Sequence, residues 1–155
     1  WSEELVGKKV LVVHPFARTI QSQYMAKRDD IFKDRRVLPR FQLITTVPPR
    51  SHFGEIRDAS HWFALYSELK SEVEGLDFEV AIIGAGPFGL PLAVDVKRMG
   101  KVAIHLGGAT QILFGIHGKR WDMDEEVLAL MTDSWVRPST EETPKTRARA
   151  RSPYW

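Results

Sequence analysis

The sequence predicts an α/β fold: an open, mainly parallel sheet of about four to five strands with helices on both faces. Three observations carry this. Apolar runs of strand length alternate with segments of helical period along most of the chain. The first run, residues 8–14 (KKVLVVH), is β-branched and lacks polar alternation, as a strand covered on both faces does. At 155 residues the chain has the size of one domain with one core.

The elements follow in order. Residues 16–31 offer Ile20, Tyr24, Ala26 and Ile31 with polar residues between them, the pattern of an amphipathic helix. Residues 41–47 (FQLITTV) form a second strand, stopped by the Pro48-Pro49 pair. Asp58 or Ser60 can cap a helix reaching Glu74, with Phe63, Leu65, Tyr66, Leu69 and Val73 as its apolar stripe. Residues 79–83 (EVAII) are a third strand. Residues 90–99 are a helix that tolerates Pro91 in its first turn and has Gly100 just past its end. Residues 102–106 (VAIHL) make a fourth strand, followed by a short helical piece near 110–114 and a last helix over 123–131. Residues 1–136 therefore read as a single α/β nucleotide-binding-like domain, and 137–155 as a basic, flexible tail rich in Pro, Ser and Thr.

Composition narrows the function classes. With 43% hydrophobic and 27% charged residues the chain is globular rather than disordered. It has no cysteine, so disulfides and thiolate zinc sites are excluded and a reducing, cytoplasmic compartment is expected. The longest apolar stretch, residues 80–94, is broken by glycines and prolines and is shorter than the roughly 20 residues of a membrane span. The start has no signal-peptide pattern, and Trp1 in place of an initiator methionine is expected of a fragment or a processed product. Net charge is +2, and it is uneven: five basic residues against two acidic ones in 137–155 leave the body slightly negative. A nucleic-acid binder concentrates its basic residues on the folded part, so no nucleic-acid partner is expected.

In an open parallel sheet, ligands bind outside the carboxyl ends of the strands. That rule selects His14, Thr45-Thr46, the loop 84–89 and residues 105–111, with the basic pair Lys119-Arg120 beyond. Gly84, Gly86 and Gly89 form G-x-G-x-x-G between a strand and a helix, with Phe88 inside the motif. Glycines let the backbone approach a ligand, and the helix start behind them favours anions. Two readings fit: a cradle for a diphosphate, or room for tight strand–helix packing. The helix dipole contributes about 0.3–2 kcal/mol to a bound phosphate. Micromolar binding needs about 8 kcal/mol, so other groups must take part. Candidates are Gly107, Gly108, Thr110 and Gln111 in the next loop, and Lys119 and Arg120, whose alternative is a solvated turn. Phe114 and Trp121 fit core packing better than base stacking. A dinucleotide-binding reading, NAD(P) or FAD with an oxidoreductase activity, lacks the acidic residue expected about 20 residues on; the following strand ends in His105-Leu106-Gly107.

His14 and His105 each close a strand and are the candidate catalytic residues, as general base or sugar-binding group. Asp77-Phe78-Glu79 enters a strand from its amino end, the wrong rim for a metal site there. Asp122-Met123-Asp124-Glu125-Glu126 fits the acidic first turn of the last helix. Metal ligands stay unassigned.

The stretch AIIGAGPFGLPLAVDVKRMGKVAIHLGGATQILFGIHGKRW (residues 81–121) resembles bacterial proteins with a GT-D-like domain. VLVVHPFARTIQSQY (residues 10–24) and the terminal Tyr154-Trp155 are similar to the same group. The resemblance implies a Rossmann-like, GT-D-like fold and a glycosyltransferase-related function. That function is transfer of a sugar from a nucleotide-diphosphate donor to a glycan or related acceptor, with a divalent metal (Mn or Mg). The loops at Gly84–Gly89 and 103–108 match in kind those of such enzymes. Their acidic Asp-x-Glu metal motif, toward the start of the domain, has no counterpart in residues 1–13. A non-catalytic binding module of a larger transferase is the remaining alternative.

Overall fold

A computed structural model of the chain describes residues 1–49 and 58–143. Its strands are β1 (Lys9–Val13), β2 (Gln42–Thr46), β3 (Val80–Ile83) and β4 (Val102–His105). All pair in parallel, in the order β2-β1-β3-β4. The helices are α1 (Ala17–Ile31), α2 (Ala59–Glu74), α3 (Gly89–Arg98), α4 (Thr110–Leu113) and α5 (Glu125–Leu130). The fold is α/β with an open, all-parallel sheet, as a Rossmann-like architecture has. The sheet has four strands, the lower end of the expected number.

Chain direction explains the layering. From β1 to β2 the chain steps one way along the sheet; from β2 through β3 to β4 it steps the other way. Right-handed crossovers then place α1 on one face and α2 and α3 on the opposite one. Side chains alternate between faces along each strand. Val10, Val12, Val80 and Ile82 pack with Phe16, Ile20 and Tyr24 of the α1 region and with Phe114, Ile116 and Trp135. Leu11, Val13, Ala81 and Ile83 pack with Leu69 and Val73 of α2 and with Phe88, Leu92 and Val96. Each fully buried aliphatic or aromatic side chain contributes about 1.5–3 kcal/mol relative to exposure. The uninterrupted apolar character of β1 thus has its cause: Val10, Leu11, Val12 and Val13 have no exposure, covered by a helix layer on each side.

Helix starts are set locally where the sequence has a cap. Asp58 accepts the His61 N–H (2.8 Å) and Asp124 accepts the Val127 N–H (3.1 Å). α1 follows Phe16 and has no capping side chain of its own. Its orphan N–H groups recruit a distant carboxylate instead. Glu142 accepts the Arg18 N–H (2.8 Å) and the Thr19 N–H (3.2 Å), and also takes the Thr19 and Ser139 hydroxyls. Arg137 holds both oxygens of Asp122 at 2.7 and 2.8 Å. The boundary expected at 136/137 therefore does not separate a packed body from free chain, because 137–143 dock on the domain. The rest of the basic tail, with Tyr154-Trp155, lies outside the described residues, as does His52. Among the described residues, no helix is long and apolar enough to cross a membrane.

Candidate functional site

The strand order reverses direction between β1 and β3, and crevices in open α/β sheets form at that point. Register aligns the rim. Val13 lies opposite Thr46 and Ile83, and Ile83 opposite His105, so His14, Gly84 and Leu106 leave the sheet at one level. The ladder runs one residue further: Gly84 N–H donates to Val13 O (2.8 Å) and Leu106 N–H to Ile83 O (3.1 Å).

Four groups meet there. A Cβ placed on Gly84 would lie 2.5 Å from His14 Cδ2, 2.6 Å from Gly107 O and 2.8 Å from Thr110 Oγ1. Glycine at position 84 thus lets the ends of β1 and β3 and the loop after β4 close on one another. His14 is buried, and its ring packs edge-on against Phe16 (4.9 Å between centroids). Its Nδ1 accepts the Phe16 N–H (3.0 Å), which puts the remaining proton of the neutral ring on Nε2. Burial pushes its pKa down to about 3, so the ring is neutral at physiological pH. Thr110 is fully buried, and its Oγ1 meets no hydrogen-bond partner among the described residues. A buried hydroxyl in that state costs about 1–3 kcal/mol unless something satisfies it.

The other predicted residues divide between this cluster and other places. Gly107 adopts φ +57, and a Cβ there would meet nothing within 4 Å, so its backbone is open to approach. It starts a short helical turn, Gly107–Ala109, that includes Gly108 and whose first N–H groups have no intrahelical partner. Gly86 is exposed and opens another such turn, Gly86–Phe88. This second loop is a poor cradle. Pro87 has no N–H, Phe88 N–H is spent on Ala85 O (3.1 Å), and Gly89 N–H on Gly86 O. The Phe88 side chain is fully buried and stacks on Trp62 (5.3 Å, 11°), which makes it core rather than ligand contact. At Gly89 the space is filled by a side chain, since a Cβ would come 2.5 Å from His105 Nε2.

His14 and His105 do not converge. His14 touches the α1–α4 side of the sheet, whereas His105 lies exposed beside α3 on the other side, in a notch with Ala93, Val94 and Ala103. The expectation of one crevice holding both is corrected by strand alternation, which sends the two rings to opposite faces. Gln111 is fully buried too. Its Nε2 donates to Ile116 O (3.2 Å), while its Oε1 has no partner among the described residues. Lys119 and Arg120 are exposed, and Arg120 sits over the Trp121 ring at 4.8 Å.

Charge elsewhere is structural. Asp77 pairs with Lys9, and Glu79 accepts the Lys9 N–H (2.9 Å), at the amino rim as expected. The Arg137 guanidinium beside Asp122 lowers that carboxyl's pKa, with a further contribution from His117. Asp124 caps α5, so the acidic stretch 122–126 is a helix start. Among the described residues no three His, Asp or Glu side chains are grouped to hold a metal ion. Sequence reasoning missed Glu142, which occupies the amino end of α1, where doubly wound folds present phosphate-binding N–H groups. No local pattern announces it, because its partners on α1 lie more than a hundred residues away.

The chain defines an α/β protein with a parallel sheet and a small polar cluster at its switch point. It matches no protein family, no curated protein and no solved structure.

Proposed function

We propose that this chain binds a nucleotide-diphosphate sugar at the carboxyl rim between β1 and β3, as a glycosyltransferase-like domain with a glycan-type acceptor. One observation carries the reading. Thr110 Oγ1 is a buried hydroxyl without a partner among the described residues, beside the His14 ring and the Gly84 backbone at the place where such sheets bind ligands. In this reading the diphosphate lies along the open backbone of Gly107 and Gly108, and Thr110 and the His14 Nε2–H donate to it. The exposed cations Lys119 and Arg120 follow in the same connection. Resemblance across residues 81–121 supports the donor class, and the cysteine-free chain suits a cytoplasmic setting.

A second reading, binding without transfer, is favoured by the Phe16 N–H on His14 Nδ1. That contact uses the lone pair a general base would need, so His14 acts as a donor.

Calorimetric titration with UDP, GDP and CDP sugars, with and without Mn²⁺, tests the proposal. One donor is expected to bind, and Thr110→Val to weaken it about tenfold while leaving thermal stability unchanged or raised, since the isosteric change removes an unsatisfied hydroxyl. No heat with any donor, or full affinity in Thr110→Val, overturns it. Product formation with an acceptor separates transfer from binding alone.

A further inference from the structure

We propose that the open edge of β4, together with the outer face of α3, docks an extended acidic peptide segment of a partner protein by strand addition. This is independent of the rim cluster on the other side of the sheet.

The backbone supplies the first argument. Val102 N–H donates to Glu79 O and Leu106 N–H to Ile83 O, both at 3.1 Å, so the even-numbered residues of this stretch face β3. Ala103 and His105, between them, turn their N–H and C=O groups away from the sheet. Among the described residues β4 ends the sheet on that side, so these groups form an unpaired template for another strand.

The side chains supply the second. α3 buries one stripe, Leu92 and Val96, but carries a second at i, i+3, i+4 and i+7: Leu90, Ala93, Val94 and Lys97. Leu90 is 63% exposed and Val94 44%. Between the stripe and the edge lies a notch lined by Ala93, Val94, Lys97, Arg98, Ala103 and His105. An edge strand flanked by a helix and an apolar notch is the arrangement that takes up an extended peptide, with main-chain bonds for affinity and side-chain pockets for specificity.

Charge selects the occupant. The two charged residues lining the notch are basic. Lys97 has no ion pair among the described residues, and Arg98 is 76% exposed with one nitrogen on Asp95 (3.2 Å). A second copy of the chain would bring Lys97 and Arg98 against the same residues, whereas an acidic strand meets both favourably. β4 has only four residues, so its few backbone bonds need help from the notch and the cations.

Fluorescence anisotropy with a labelled peptide of alternating valine and glutamate, against the same peptide with lysine for glutamate, tests this. Ala103→Pro removes an outward N–H without touching the β3 ladder, and Lys97→Glu reverses the charge on a helix surface. The glutamate peptide is expected to bind, each variant to weaken it about tenfold or more, and the Ala103 and His105 amides to gain hydrogen-exchange protection. If Ala103→Pro fails to fold, Lys97→Glu and the amide protection decide. No binding up to about 1 mM peptide, equal binding of the lysine peptide, or protection confined to other amides overturns the proposal. A chain that sediments as a dimer with those two amides already protected overturns it as well.

Discussion

His14 shows how a single side chain is committed by its surroundings. Its folded pKa lies near 3 against the ordinary 6.5, because burial penalises the charged ring. Between those values the unfolded chain takes up a proton that the folded chain refuses. Stability therefore falls as pH drops below 6.5, with a slope approaching about 1.4 kcal/mol per pH unit, and this group adds no pH dependence above that range. Urea unfolding near pH 7 and near pH 5.5 should show the loss. His14→Asn, whose amide oxygen can still accept the Phe16 N–H, should flatten the slope over this interval, above the range where carboxylates titrate. An unchanged slope in the variant would assign the effect to another group. Thr110 is the complementary case, a fully buried hydroxyl with no hydrogen-bond partner among the described residues.

At the level of elements, the two glycines that bound the loop between β3 and α3 behave differently. Gly84 faces the carbonyl of Gly107 at a built distance of 2.6 Å, and backbone cannot swing aside. Gly84→Ala should cost about 1–3 kcal/mol by overpacking the joint between strand ends. Gly89 faces only the ring of exposed His105, and its own backbone is ordinary helix (φ −65). Gly89→Ala should be near neutral or gain up to about 1 kcal/mol of helix propensity. Chemical denaturation of the two variants checks the contrast, and equal losses would refute it. The positions of strands and helices were legible because apolar period is local: Val10–Val13, Leu69 and Val73 of α2, and the Asp58 cap lie where the spacing puts them, whereas Phe63, expected on the same stripe, is 63% exposed. Which loops meet was not legible. G-x-G-x-x-G reads as a phosphate cradle until Phe88 turns inward onto Trp62 and the Phe88 and Gly89 N–H groups are spent on carbonyls of the loop itself. The separation of His14 from His105 depends on sheet register, which no stretch of sequence states by itself.

At the scale of the whole sheet, β1 and β3 are paired on both sides and covered on both faces, whereas β2 and β4 each have an edge with no strand on it among the described residues. Native-state hydrogen exchange should find the slowest amides in Val10–Val13 and Ala81–Ile83, opening only with global unfolding, and faster ones in β2 and β4. Uniform protection across the four strands would show that the edges are sealed. Distant parts of the chain are also tied to each other. Glu142 sits 124 residues from the Arg18 N–H it accepts, so α1 is completed by a carboxylate synthesised long after the helix itself. Until that clasp emerges, the nascent protein carries α1 with a bare amino terminus, and every length of chain that stops short of residue 142 lacks the closure that the finished one has.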